Sequence, residues 1–296
     1  MRITLAFVCC VLIWGSTWYA IELQLGVVAK EWSLVYRFAL ASLVLFCICL
    51  VRRDRLIVPR ANHIWMASTG LFMFSATYIF TYTGAEYLTS GLVAVTFSLL
   101  SFFNILNARI FLKNKIQPTA LAAALLGIVG LALIFKPEVK ALSFEDQAAT
   151  GVFFCVIAAV VCSFGNTIAG APASQNQPLL PFNAWGLGYG ALFNLIYAVS
   201  VGAPIGFDPR LPYVVSLIYL AVAGTVVAFT LFIWLIDKIG LGRTAYMSVL
   251  IPVVALIIST FLEDFVWTAE AFAGLALVVG GNILMIQRKP KTGEKA

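Results

Sequence analysis

The chain is dominated by long apolar segments separated by short polar stretches. A helix needs about 20 residues to cross the ~30 Å hydrocarbon core of a bilayer. The segments are continuously apolar and do not alternate with period two, which favours helices over the strands of a membrane barrel. Ten spans are predicted, at 3–21, 32–51, 64–82, 89–111, 119–135, 150–168, 182–202, 213–236, 244–262 and 269–287.

The composition excludes a soluble protein. Of 296 residues, 62% are hydrophobic and 11% are charged, whereas about 25% of the residues in a soluble domain are charged. So few charges cannot cover a water-soluble globule, which excludes a cytosolic enzyme or a nucleic-acid-binding domain, and the apolar content excludes disorder. We therefore expect an all-α polytopic membrane protein with ten transmembrane helices, surrounded by a lipid bilayer.

The placement of basic residues predicts the orientation. If the N-terminus is cytoplasmic, the inside segments carry fourteen Lys and Arg residues and the outside segments carry four. Because cytoplasmic loops are enriched in these residues, both termini are predicted to be cytoplasmic, in a plasma membrane such as the bacterial inner membrane. The net charge of +6 thus reflects topology and does not indicate a nucleic-acid partner. No small-x-small cleavage site follows the first apolar run, so we interpret it as a retained helix.

The two halves of the chain resemble each other. At an offset of 150 residues, Trp14-Gly15-Ser16-Thr17 aligns with Phe164-Gly165-Asn166-Thr167, and at an offset of 151 the segment 86–133 aligns with 237–284. This predicts two repeats, residues 1–146 and 147–296. Each repeat has five spans, an odd number, so the second must enter the membrane inverted. Inverted repeats are typical of secondary transporters, in which the substrate site lies near the midplane between them.

Neutral polar and aromatic side chains within the spans are the candidate substrate-binding residues. They suit a small amphipathic solute better than an ion, although Gly, Ser, Thr and Asn can also serve only to pack helices together. Mid-span glycines and a proline are candidate hinges, since they permit close approach or a kink. The candidate substrate-binding residues are Trp14, Ser16, Thr17, Tyr78, Ser101, Asn104, Asn166, Tyr189 and Tyr246, and the candidate hinges are Gly15, Gly165 and Pro252.

Arg37 is the charged residue that lies clearly within a span. It could pair with Glu22 or Glu31, or reach interfacial water along its aliphatic stem. Alternatively, it could bind a substrate carboxylate, which the guanidinium fork suits. Glu22 is a candidate gate residue at the outer end of the first span.

Several kinds of chemistry have no sequence support. The six cysteines fall in apolar runs, and His63 is the one histidine, so we predict no metal site, no catalytic residue and no cofactor. The sequence has no Gly-Lys-Ser/Thr phosphate-binding loop, so we do not expect this chain to use ATP directly. No carboxylate lies in the middle of a span, which disfavours a central proton relay.

Short motifs along nearly the whole chain resemble the EamA family of the drug/metabolite transporter superfamily. They are Trp14-Gly15-Ser16-Thr17, Arg37-Phe38, Leu88-Thr89-Ser90-Gly91-Leu92, Ile251-Pro252 and Phe261-Leu262-Glu263. The resemblance implies ten helices in two five-helix repeats, a cavity between the halves, and export of amino acids or other small metabolites. Ser101-Phe102-Phe103 stands where the family commonly has a proline and Leu112-Lys113-Asn114 where it commonly has Leu-Gly-Glu, so we expect the first half to be the stiffer one.

The resulting hypothesis is a secondary transporter that exports a small amphipathic metabolite, such as an amino acid, by alternating access. A broad-specificity drug efflux permease is the nearest alternative, and a mid-membrane acid would favour it. A membrane-embedded enzyme is a further alternative, which would need converging acids, histidines or metal ligands.

Overall fold

The computed structural model describes residues 2–112, 118–134, 147–239, 244 and 246–286, and its regular elements there are helices. We number ten helical units in chain order. They are α1 (Arg2–Glu22), α2 (Lys30–Arg52), α3 (His63–Thr69, Gly70–Ala76 and Thr77–Ala85), α4 (Ser90–Phe97 and Leu100–Leu112), α5 (Pro118–Ile134), α6 (Gln147–Ala169), α7 (Leu179–Ser200), α8 (Leu211–Ile218, Tyr219–Val227 and Ala228–Ile239), α9 (Met247–Leu262) and α10 (Ala269–Ile286). Short helices at Arg60–Asn62 and Pro172–Gln175 precede α3 and α7.

Most of the helices have the length that a bilayer requires. Among the described residues, six helical stretches are long and apolar enough to cross a membrane, and three shorter apolar helices accompany them; α7 adds a further helix of 22 residues. The predicted all-α polytopic fold is confirmed, and ten helical units follow the ten predicted spans. The predicted span ends at 135 and 287, and the repeat boundary after 146, lie outside the described residues.

Helices that occupy the same place in the two halves pack against each other in antiparallel pairs. In the α2–α7 pair, Trp32 Nε1 donates to the carbonyl of Ala203 at 3.0 Å and Ser42 Oγ donates to the carbonyl of Ala184 at 2.9 Å. In the α5–α10 pair, Gly130 lies against the Gly274 carbonyl. The α4–α9 pair has the same antiparallel arrangement. Because equivalent helices run in opposite directions, the second half is inverted relative to the first.

The other helix contacts also occur in equivalent pairs, one in each half. Helix α1 packs on α8 and α9, and its counterpart α6 packs on α3 and α4. Buried residues of both halves, such as Phe38 and Leu92 with Leu220 and Leu256, belong to one hydrophobic cluster. The two halves therefore share a core. We call the side on which α1 begins the N-terminal face, and the other side the opposite face.

Among the described residues, each half contains one stretch of π-helix, at an equivalent position in α3 and α8. These are Gly70–Ala76 and Tyr219–Val227. In a π-helix the backbone N–H groups bond to carbonyls five residues earlier. A threonine hydroxyl does the same in each segment. Thr77 Oγ1 donates to the carbonyl of Phe72 at 2.6 Å, and Thr225 Oγ1 donates to the carbonyl of Leu220 at 2.8 Å. Such segments occur often at functional sites.

Helix α4 is interrupted at residues 98–99, although its sequence has no proline there. Ser98 Oγ donates to the carbonyl of Val95 at 2.6 Å, and such local side-chain bonds compete with regular helix geometry. Helix α9, which contains Pro252, runs without a break from Met247 to Leu262. The interruption thus lies in the helix without a proline, and the greater stiffness expected of the first half stays a prediction.

Candidate functional site

The polar motif of α1 contacts the π-helical part of α8. Trp14 Nε1 donates to the carbonyl of Gly224 at 3.1 Å, and the hydroxyls of Ser16 and Tyr219 are 2.6 Å apart. Thr17 packs its methyl group against Gly224, where an added Cβ would lie 2.7 Å from Thr17 Cγ2. Three candidate residues of the first half thus meet the second half at one crossing. Tyr219 was missed by the sequence analysis, because an aromatic residue within an apolar run carries no distinguishing signal.

A second crossing joins α4 to α6 through side-chain amides. Asn166 Nδ2 donates to Asn104 Oδ1 at 3.2 Å. About one turn away, Asn107 Nδ2 donates to Ser163 Oγ, and both of these residues are buried. The structure therefore brings together the two asparagines selected from the sequence. Buried amides in a membrane protein need such partners, because an unsatisfied polar group in an apolar environment is costly.

The candidate hinge residues lie where helices approach closely. A Cβ on Gly15 would lie 2.5 Å from Val254 Cγ1 of α9, and a Cβ on Gly165 would lie 3.0 Å from Met73 Cβ in the π segment of α3. Pro252 is buried within α9. Glycine thus permits close packing of α1 on α9 and of α6 on α3, while movement about these positions stays a prediction.

Three candidate binding residues lie apart from these crossings. The Tyr189 hydroxyl is 2.9 Å from His63 Nδ1, and its ring packs near Trp185. Tyr246 directly precedes α9 and is 37% exposed. Ser101 lines a small cavity between α4, α5 and α10. The sequence had grouped these residues with the α1 motif, whereas the structure places them elsewhere.

Arg37 is buried in an aromatic environment. Its side chain is 2% exposed, and its guanidinium carbon lies 4.5 Å from the centre of the Tyr78 ring. Arg37 Nη1 donates to the hydroxyl of Tyr82 at 3.4 Å, and that hydroxyl donates to Gln24 Oε1 at 2.6 Å. Within the described part of the chain no carboxylate forms an ion pair with Arg37, so neither Glu22 nor Glu31 does so.

Carboxylates lie at the opposite face. Glu263, just after α9, accepts hydrogen bonds from the backbone N–H of Ser90 at 2.9 Å and from its hydroxyl, at the start of α4. Glu22 is close enough to Glu263 for an electrostatic interaction. Lys30 and Glu86 form an ion pair at 2.7 Å. The contact between Glu263 and Ser90 joins the two halves at this face.

A small cavity lies between α2, α3, α7 and α8, in the part of the molecule nearer the N-terminal face. Its walls include Leu45, Phe74, Asn183, Leu187 and Thr225. The space is of the size of a water molecule and is too small for a metabolite. Because contacts between the halves lie towards both faces, a larger solute can enter this cavity only if helices of the two halves move apart.

The sequence model of the EamA-like transporter family matches residues 1–136 and 149–287. This chain belongs to that family. The EamA assignment agrees with the resemblance of the sequence motifs and with the ten helical units. It establishes an integral membrane protein of a transporter family.

Relatives of this EamA transporter cover most of its length. An uncharacterized transporter of Archaeoglobus fulgidus is 22% identical over 93% of this chain and 95% of that protein. The uncharacterized transporter YetK of Bacillus subtilis is 27% identical over 86% of this chain and 77% of that protein. A solved crystal structure has a TM-score of 0.67 at 17% identity and covers 96% of each chain, so the two chains share a fold.

Proposed function

We propose that this protein is a secondary transporter that exports a small amphipathic metabolite, such as an amino acid, by alternating access. The observation that carries the proposal is the antiparallel packing of equivalent helices, α2 with α7, α4 with α9 and α5 with α10. Two inverted halves of similar structure can exchange conformations, and the exchange exposes a central site first to one face and then to the other.

The contacts between halves suit this cycle. The α4–α9 contact of Ser90 with Glu263 lies at the opposite face, and the α4–α6 contact of Asn104 with Asn166 lies towards the N-terminal face. Both consist of hydrogen bonds, which can exchange for bonds to water or substrate at modest net cost. Opening one contact while the other holds would give access from a single side.

The substrate path would pass the α1–α8 crossing. Trp14 and Tyr219 supply aromatic surface there, and Ser16 supplies a neutral hydroxyl. These groups match a solute with apolar and hydrogen-bonding parts. The distribution of Lys and Arg supports placing both termini in the cytoplasm. The proposal further places the protein in a plasma membrane such as the bacterial inner membrane, and it divides the repeats after residue 146 on the basis of the internal sequence repeat.

The proposal is tested by flux from reconstituted vesicles. A metabolite panel, with and without a pH gradient, first identifies a transported compound. Asn104→Leu and Asn166→Leu are then compared with wild type, and we expect both to abolish its transport while membrane insertion stays intact. Asn176→Leu, at an exposed position before α7, is the matched control and should transport normally. Unchanged flux in both test variants would refute the assignment of these residues to the pathway.

A further inference from the structure

Arg37 carries a buried charge that the protein itself leaves partly unsatisfied. It lies seven residues after Lys30, the first residue of α2, so it is about 10 Å along the helix from the opposite face. At 2% exposure its guanidinium cannot reach interfacial water. A buried charge costs several kcal/mol unless it is paired and fully hydrogen-bonded. The groups around Arg37 therefore indicate which function compensates for this cost.

Among the residues that the structure describes, the groups around Arg37 supply no negative charge. Arg37 Nε has no hydrogen-bond partner, and neither has the Nε2 of the buried residue Gln24. The Tyr82 hydroxyl donates its hydrogen bond to Gln24 Oε1. The rings of Tyr78 and Phe38, at 4.5 and 5.3 Å, cover the guanidinium. The cluster therefore has one positive charge and unused N–H groups, and it lacks an anionic acceptor.

The inverted repeat relates this position to the transport pathway. The offset of 150 residues that aligns α1 with α6 places Leu187 of α7 at the position of Arg37. Leu187 lines the small cavity between α2, α3, α7 and α8. If the two halves exchange conformations, an equivalent cavity opens towards the opposite face. Arg37 then lies in the wall of that cavity, at the position that corresponds to Leu187.

We propose that Arg37, assisted by Gln24 and Tyr82, binds the carboxylate of the transported metabolite. This inference rests on the proposed transport function and narrows its substrates to monocarboxylates, including zwitterionic amino acids. A carboxylate supplies one negative charge and two oxygens, which a guanidinium fork binds in bidentate fashion. A phosphate dianion fits less well, because among the residues whose burial is described Arg37 is the one buried Lys or Arg.

Matched pairs of acid and amide test the inference. The probes are leucine with leucinamide, phenylalanine with phenylalaninamide, and benzoate with benzamide, and their efflux from vesicles containing the full-length protein is measured by mass spectrometry. Wild type should transport at least one acid about tenfold faster than its amide, since a charge-assisted hydrogen bond contributes more than a neutral one. Arg37→Gln should remove that preference by slowing the acid and leaving the amide unchanged.

Further variants separate binding from folding. Arg37→Lys keeps the charge without the fork and should retain part of the acid flux. Tyr82→Phe keeps the ring beside Arg37 and should slow acids severalfold, so it decides the question if Arg37→Gln does not fold. Arg55→Gln removes an exposed arginine and should change nothing.

The outcomes distinguish this inference from the proposed function. Carboxylate binding would be overturned, with the transport function left standing, by any of three results. Wild type transports acids and amides equally, Arg37→Gln loses transport of both equally, or wild type transports other panel compounds but none of these six. Absence of flux for every compound in the wider panel would overturn the proposed transport and, with it, this inference.

Discussion

At the scale of single residues, Glu263 joins the halves by capping a helix that belongs to the other half. Its carboxylate accepts from the Ser90 backbone N–H at 2.9 and 3.2 Å and from the Ser90 hydroxyl. The first N–H groups of a helix have no partner within the helix, and the helix dipole favours a negative charge there. The sequence analysis had noted Glu263 as part of a family motif, without assigning it this contact.

Neutralising this carboxylate should destabilise the protein. We expect Glu263→Gln to lower the free energy of unfolding by about 1 kcal/mol, because the charged cap of α4 is lost. Thermal unfolding in detergent measures the change. Asp264→Asn is the matched control, since Asp264 is an exposed neighbour with a positive φ of 55° that Asn adopts readily. Equal melting temperatures for the two variants would show that the cap contributes nothing.

At the scale of helices, the α5–α10 pair depends on small residues. A Cβ on Gly130 would lie 2.6 Å from the Gly274 carbonyl, and a Cβ on Gly281 would lie 2.7 Å from the Ala123 carbonyl. These two contacts are related by the exchange of halves at an offset of 151 residues. Close backbone approach through small residues is a general way to associate helices in membranes.

A methyl group added at Gly130 should force α5 and α10 apart. Gly130→Ala is expected to cost about 1–3 kcal/mol, as overpacking typically does. The control is Gly280→Ala in α10, where no atom lies within 4 Å of an added Cβ and where alanine should be neutral or stabilising because it favours the helix. Melting temperatures of the two purified variants decide the matter, and equal destabilisation by both would contradict the packing role of Gly130.

Helix positions could be predicted from the sequence better than local helix geometry. Length and continuous apolarity predict spans because the bilayer imposes both. The π segments at Gly70–Ala76 and Tyr219–Val227 could not be predicted in this way, since they depend on which partners satisfy the backbone after packing. The interruption of α4 after Phe97 was not predicted either, because a serine that bonds a carbonyl three residues earlier is also compatible with an unbroken helix.

The candidate site was predictable in part. Asn104 and Asn166 could be selected because a side-chain amide within a span needs a partner, and the structure pairs them. Tyr189 and Tyr246 were selected as aromatic residues of spans, but sequence alone does not tell which face of a helix a ring occupies. Tyr189 meets His63, and Tyr246 lies exposed beside α9.

At the scale of the whole molecule, hydrogen bonds join the two halves towards both faces. The α4–α9 pair closes the opposite face. There a Cβ on Gly91 would lie 3.0 Å from Ser259 Cβ. The two Cβ atoms of a disulfide lie about 3.5–4.5 Å apart, so a small relaxation brings cysteines at these positions into bonding range.

A disulfide between Gly91→Cys and Ser259→Cys should therefore stop transport under oxidising conditions, because α4 and α9 could no longer separate. Flux from vesicles should return to the unoxidised level after treatment with dithiothreitol. The single variants Gly91→Cys and Ser259→Cys, exposed to the same oxidant, control for the added side chains and for the six native cysteines. If the crosslinked protein transports as fast as the reduced one, alternating access does not proceed by separating these helices, and the substrate must reach the centre by another route.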